Sequence, residues 1–415
     1  MREILRIAAR NLLRYRRRTA LASLLIAVGV VSLLLFLAVG GAFKSTMIES
    51  ITGSMMGHIQ VHHRGYVASL DTLPLNLQLK PPQARKIEGE LEKTPGIEAY
   101  SKRIKFGGMY SNYLETTNIR VNGVMPEREL ATCPGIADRL IDGPADGPTL
   151  RPGEIWLPKL LADGLKVKPG DEGVIIATNN DGSVNGVSLK VTGILESATG
   201  PGGRDAYIHF QDAAELLRME PPEVSEIAVR VAHFGQVHAV HAALAGALAG
   251  EVNQKGKPVF EVHTWEKLHP FANVARSVDL VTRFMLVVLV AVVLVAVVNV
   301  MMMAVYERTR EIGTMAALGT QPSTILGLFV TEGLLLGALG AAAGLVLGLA
   351  AVYTMNLVGV SMAFGQNTDL ILRPTVTIGQ VAVVAGLVMA LAVLGSLQPA
   401  YRASRLDPIE ALRHV

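Results

Sequence analysis

Apolar residues gather along this chain into four long uncharged runs, at 19–43, 284–306, roughly 325–352 and 376–397, whereas the stretch between the first two alternates apolar and polar positions over short distances. Each run is longer than the roughly 20 residues an α-helix needs to cross about 30 Å of hydrocarbon, so each predicts a spanning helix. The interval between the first two has the texture of a water-soluble domain, with Pro, Gly and charge throughout. Alternation from residue 57 predicts a strand, residues 82–93 a helix, and residues 97–106 and 118–124 two more strands. Residues 135–153, crowded with Pro and Gly, read as a subdomain connection. Beyond it the pattern predicts a short helical segment at 155–165 and a hairpin of strands 173–178 and 187–195 around the polar turn 179–186. A strand at 206–209, a helix at 211–219, a strand at 226–231, a helix at 235–248 and a strand at 259–263 follow. Residues 44–56 keep helical character as a stalk on the first span, and Thr264 is placed as the N-cap of a second stalk running through Trp265, Phe271 and Val278. The predicted fold class is an α-helical membrane protein with four transmembrane helices plus a large mixed α+β external domain inserted between helices 1 and 2.

Charge orients these elements. Residues 1–18 hold seven arginines against one glutamate. Arg2, Arg6, Arg10, Arg14 and Arg18 recur every four residues, with Ile4, Leu5, Ala8, Leu12 and Tyr15 on another face, which predicts a basic amphipathic helix lying on membrane lipid. Arginine packed beside a span marks the cytoplasmic end. Four crossings then place residues 1–18 inside, 19–43 as helix 1, 44–278 outside, 279–306 as helix 2, 307–323 inside, 324–352 as helix 3, 353–375 outside, 376–398 as helix 4 and 399–415 inside. The first run follows a basic segment as a signal peptide would, but it exceeds the roughly 7–15 residues of a signal-peptide core. Acids slightly outnumber bases in the external domain, which excludes nucleic acid as a partner. The single cysteine, Cys133, rules out an intrachain disulfide and reads as a small buried hydrophobe.

Residues 306–320 read Y-E-R-T-R-E-I-G-T-M-A-A-L-G-T and join two spans with little to spare. Glu307, Arg308, Arg310 and Glu311 stand three and four apart, as neighbours on one helix surface do, and Gly319 is placed as a C-terminal cap. A short rigid helix held at a membrane face by two spans is suited to passing force to a partner. In the third run, Gly333, Gly337, Gly340, Gly344 and Gly348 are spaced four, three, four and four apart, which lines one face with small residues and lets another backbone approach. Glu332 lies near the start of that run. It predicts a structural role, bonding a neighbouring helix or reaching the interface, because a proton relay needs further ionisable groups at membrane depth.

Catalytic chemistry is missing. There is no G-x-x-x-x-G-K-[ST] phosphate cradle, no H-E-x-x-H, no C-x-x-C and no G-x-S-x-G. His58, His62 and His63 have no second ligand group at a telling spacing, so no metal site is predicted.

Three segments together resemble the permeases of ABC transporters of the macrolide-exporter, lipoprotein-releasing and FtsX-like type: E-R-T-R-E-I-G-T-M-A-A-L-G at 307–319, Glu332 with the glycine pattern, and P-A-Y-R-A-S-R-L-D-P-I-E-A-L-R at 399–413. The layout of one span, a large external domain and three spans is similar too. The resemblance implies a bacterial inner-membrane subunit with a periplasmic domain that is not itself an enzyme and binds no cofactor. ATP and Mg would be bound by two cytoplasmic ATPase subunits, and the permease would pair with a second copy or a paralogue. It implies mechanotransmission, with Glu307, Arg308, Arg310 and Glu311 as polar contacts to the ATPase, Ile312 and Met315 as apolar knobs, and Gly313 for close approach. W-E-K-L-H-P-F before the second span looks most like the lipoprotein-releasing branch, with a periplasmic carrier or adaptor as a further partner. The turn 179–186 departs from it, being short and polar where the carrier-recruiting permease has a longer apolar arm. The alternatives are a macrolide-exporter-like efflux permease and an FtsX-like regulator of cell-wall hydrolases, the latter disfavoured by the size of the external domain.

Overall fold

The computed structural model describes residues 2–144, 147–196, 201–268, 271–364 and 367–413. The chain forms two compact units, a helical one (Met1–Lys44, Ala275–Val360, Ile371–Val415) and an α/β one (Ser45–Val274, Ser361–Leu370). Among the described residues, four helices are long and apolar enough to cross a membrane, and the bulk of the α/β unit lies between the first two in the chain, as the hydrophobic pattern predicts.

In the helical unit an N-terminal helix, Arg2–Arg14, precedes the first span helix, Arg16–Ile51. The second, third and fourth span helices are Phe271–Glu307, Pro322–Val358 and Ile378–Ser404. All four outrun the apolar runs that predict them, because helical hydrogen bonding continues after hydrophobicity stops. The fourth passes through Pro399, and residues 353–358, expected in a loop, belong to the third helix. The core is one apolar cluster contributed by all four, including Ile26, Val30, Val293, Val297, Phe329, Leu336, Val388 and Ala392.

The glycines of the third helix serve two neighbours. A Cβ on Gly333 would lie 2.5 Å from Ser396 Cβ, and one on Gly337 would collide with Ala392 Cβ, both on the antiparallel fourth helix. Gly340, Gly344 and Gly348 instead meet Ile26, Val30 and Leu34 of the first helix, which runs parallel and advances in the same four-residue steps. The single three-residue step, from Gly337 to Gly340, turns the stripe from one partner to the other. At the end of the bundle away from the termini, Lys44 Nζ grips both Asp279 carboxylate oxygens at 2.7 and 2.8 Å, joining the first and second helices.

In the α/β unit the strands are β1 Ile59–His63, β2 Ile97–Ser111, β3 Thr116–Val124, β4 Leu140–Asp142, β5 Glu154–Pro158, β6 Glu172–Thr178, β7 Val184–Leu195, β8 Asp205–His209, β9 Glu226–Val231 and β10 Phe260–Thr264. β1, β2, β9 and β10 lie in the order β10-β1-β9-β2, all antiparallel, with helices Pro81–Lys93 and Val237–Leu248 as the crossovers. That is a split β-α-β-β-α-β unit, and Ile59, Val61, Ile227 and Val229 pack on Ile87, Leu91, Val240 and Leu244 of its helices. Between β2 and β9 the chain builds a second body. β2, β3, β8, β5, β7 and β6 pair in turn and β6 returns to β2, closing a six-stranded ring around Phe106, Val121, Ile155, Ile175, Val191 and Ile208.

Several local expectations are corrected. Residues 155–165 are strand β5 followed by helix Lys159–Leu165, since Ile155, Trp156 and Leu157 are buried between β7 and β8. The connection 135–153 contains a helical turn, Gly135–Asp138, and β4, which pairs with β7. β7 begins at Val184, so the hairpin turn is tighter than 179–186. Thr264 is the last residue of β10, and a helix, Trp265–Leu268, starts at the next residue, where the sequence places it. Residues 361–364 and 367–371 form a two-stranded sheet.

β2 belongs to both bodies of the α/β unit, and at the change of partner Arg103 is buried. Its Nε and Nη2 donate to Glu129 at 3.1 and 2.6 Å, and its Nη1 to Glu226 Oε1 at 2.8 Å and the Met55 carbonyl at 2.7 Å. Burial alone would raise the Glu226 pKa, but Lys105, His62 and Arg103 hold it well below the usual carboxylate range. Cys133 accepts from Arg103 Nη2 at 3.1 Å, and burial pushes its thiol up to about 11, so it is inert as a nucleophile.

The glycine contacts make a direct prediction. Gly344→Val overpacks the first–third helix contact and is expected to cost about 1–3 kcal/mol, read as a lower melting temperature in detergent. Gly327, where a Cβ meets nothing within 4 Å, tolerates Gly327→Ala without change.

Candidate coupling site

The segment between the second and third span helices is a helix, Thr309–Ala317. The second helix stops at Glu307 because Arg308 leaves helical geometry (φ −113°, ψ 15°), and the short helix stops where Gly319 takes φ 86°. Pro322 then opens the third helix. Residues 308 and 318–321 thus reset direction within a few positions and hold the short helix across the end of the bundle that carries the chain termini.

A buried ion pair fixes it there. Arg308 and Glu332 side chains are 4% and 1% exposed, and Arg308 Nη1 donates to Glu332 Oε2 at 3.0 Å. Arg308 Nε donates to Glu311 Oε2 at 3.0 Å, and its guanidinium lies 5.5 Å from the centre of the Phe329 ring. With the Asn11 amide turned so that its oxygen faces the guanidinium, that oxygen accepts from Nη1 at 3.1 Å and Nη2 at 2.8 Å. Every edge of Arg308 is therefore bonded, by the short helix, the third span and the N-terminal helix. Arg18 Nη1 donates to Glu307 Oε2 at 2.8 Å and Arg14 Nη1 to Glu311 Oε1 at 3.3 Å. The cluster balances Arg14, Arg18 and Arg308 against Glu307, Glu311 and Glu332.

The residues singled out in this segment divide into an inner and an outer set. Arg308, Ile312 and Gly313 are buried. Ile312 belongs to the bundle core, Met315 packs against it half-buried, and a Cβ on Gly313 would come 2.6 Å from Ala411 Cβ of the C-terminal helix Pro408–Arg413. Gly313 therefore admits this chain's own tail, and Ile312 is a core residue rather than an exposed knob, because that face of the short helix is the one turned to the bundle. The outer face carries Arg310, Thr314 and Leu318, spaced four apart, with Leu318 83% exposed. Glu307 and Glu311 lie at the edge, each already paired within the chain.

Arg14 and Arg18 are members that sequence reasoning assigns to the lipid surface alone, and Asn11 is one it does not single out. The arginine repeat of four places Arg14 and Arg18 on one face, and Glu332 is read as bonding a neighbouring helix or reaching the interface; the meeting of the two needs the fold. Leu318, in plain view at the helix end, was passed over.

The arrangement offers mechanics rather than reaction chemistry: a short helix cross-braced by charge, with one small polar–apolar face free. Cutting the brace tests it. Glu332→Ala leaves the Arg308 charge buried without its carboxylate and is expected to cost about 3–5 kcal/mol, read by thermal unfolding in detergent, while Arg308→Met in the same chain restores most of the loss.

Comparison with known proteins agrees with this layout. Residues 19–247 match the family model of the MacB-like periplasmic core domain, and residues 283–408 that of the FtsX-like permease C-terminal domain. The chain is 26% identical over 409 residues to the lipoprotein-releasing system transmembrane protein LolC of Neisseria meningitidis serogroup B, covering 94% of this chain and 92% of that one. It is 31% identical over 238 residues to the macrolide export ATP-binding/permease protein MacB of Nitrobacter winogradskyi, covering 55% of this chain and 34% of that relative. Among solved structures, the periplasmic region of MacB from Actinobacillus actinomycetemcomitans matches 55% of this chain and 95% of its own length at 12% identity, with a TM-score of 0.34.

Proposed function

The chain belongs to the family of ABC permeases that carry a MacB-like periplasmic core domain and an FtsX-like C-terminal domain, and on that premise we propose that it couples separate cytoplasmic ATPase subunits to its periplasmic domain in the release of lipoproteins from the inner membrane. The chain is a multi-pass membrane protein, and in this reading ATP and Mg would be bound by the partner ATPase. Two ATPase copies would serve two permeases, with the exposed apolar faces of the span helices turned to lipid or to the second permease. The observation that carries the coupling role is the short helix Thr309–Ala317, braced from behind by the buried Arg308–Glu332 pair and free in front at Arg310, Thr314 and Leu318. A helix fixed on its inner side moves as a body when pushed from its outer side, and the close glycine contacts of the third helix pass that motion along the bundle.

Lipoprotein release is supported by similarity to a lipoprotein-releasing protein along nearly the whole chain. The efflux reading keeps one observation in its favour, the higher identity, over about half of the chain, to a macrolide exporter. The β6–β7 turn is short and polar, Asn179 being tied to Ser183, so recruitment of a periplasmic carrier would use another surface.

Two measurements test this. Arg310→Glu and Leu318→Asp are expected to weaken ATPase co-purification about tenfold, or about 1.4 kcal/mol, with the melting temperature of the permease unchanged; full retention overturns the docking face. Depletion of the protein, with any paralogue removed, should hold lipoproteins in the inner-membrane fraction; normal delivery to the outer membrane rejects lipoprotein release and leaves efflux.

A further inference from the structure

Arg18 stands between two carboxylates on different elements. Its Nη1 donates to Glu307 Oε2 at 2.8 Å, at the end of the second span helix, while its Nη2 lies 3.7 Å from Glu332 Oε1 on the third. Glu332 Oε2 is taken by Arg308, but Glu332 Oε1 is buried without a hydrogen-bond partner, and so is Arg18 Nε. Glu332 Oε1 therefore faces Arg18 Nη2 across 3.7 Å, an ion pair too long for a hydrogen bond and one side-chain rearrangement from making one. Buried polar atoms left this way raise the free energy of the state that contains them. The Tyr15 ring, whose centre is 5.2 Å from the Arg18 guanidinium carbon, flanks the guanidinium.

We infer that Arg18 is a two-position latch on the short helix: it grips Glu307 at rest and passes to Glu332 Oε1 when the helix is displaced. Glu307 precedes that helix by two residues, so its release frees the helix, and the transfer completes the bonding of Glu332 with Arg308 on one oxygen and Arg18 on the other. The gain at Glu332 offsets the loss at Glu307, which keeps the two positions close in free energy and lets a partner's push select between them. The outer Arg14–Glu311 pair, with side chains 67% and 43% exposed, is too solvated to set the position and follows the helix. Arg18 is thus a positioning residue for coupling. The inference rests on the coupling role proposed above.

The test uses the assembled permease–ATPase complex in lipid nanodiscs. Co-purification of the ATPase with the unaltered chain is measured first, and its absence overturns the coupling role itself. With the complex in hand, Glu307→Gln removes the resting grip and is expected to raise substrate-free ATP turnover about two- to fivefold. The rise should vanish when Arg18→Gln is already present, because both changes act on one contact. It should vanish as well in a Glu332→Gln background, which removes the destination charge. A flat or lowered turnover in Glu307→Gln alone, with the ATPase still bound, overturns the latch, as does an equal rise in all backgrounds. If neither background assembles, the response of Glu307→Gln by itself decides in the same sense.

Discussion

A carboxylate inside an apolar helix bundle must find a cation within hydrogen-bond reach, and the arrangement around Glu332 follows from that requirement. An unpaired charge at that depth opposes the burial that holds the bundle together. Arg308 satisfies it, but Arg308 carries five N–H donors that must be satisfied in turn, and this draws in Glu311 and Asn11. The N-terminal helix, the first span, the short helix and the third span are locked by this single chain of obligations. A residue that looks like a liability in the membrane is the reason the short helix has a defined resting position.

The glycines meet a second requirement of the same kind. Hydrophobic burial does little to choose between helix arrangements when lipid is as apolar as the side chains, so close approach must supply specificity. Gly333 and Gly337 fit the fourth helix and Gly340, Gly344 and Gly348 the first, which gives the third helix two neighbours in fixed register. Charge fixes one end of the bundle and shape fixes its length. A bundle defined at both levels can transmit displacement rather than absorb it.

The α/β unit repeats the strategy in water. A split β-α-β-β-α-β body and a closed six-stranded ring share strand β2, and where β2 changes partners Arg103 is buried with Glu129 and Glu226. Breaking up such a cluster strands charge, so the junction is held to one geometry. Mutual satisfaction of buried charge thus marks a junction between elements in each unit.

Four spans, the place of the inserted domain and most of its strands and helices were legible in the sequence, because hydrophobic runs and period-two alternation are local properties of the chain. Local pattern failed where pairing decides conformation: residues 155–158 became strand because β7 and β8 flank them. It failed again at the short helix, where spacing named Arg308, Ile312 and Gly313 but left open which face each would take. Only the tertiary structure turned those three inward, to Glu332, the bundle core and Ala411, and left Arg310, Thr314 and Leu318 outside. Nor could spacing bring Arg18 to Glu307, 289 positions away, since a contact of that separation exists only once the helices have packed.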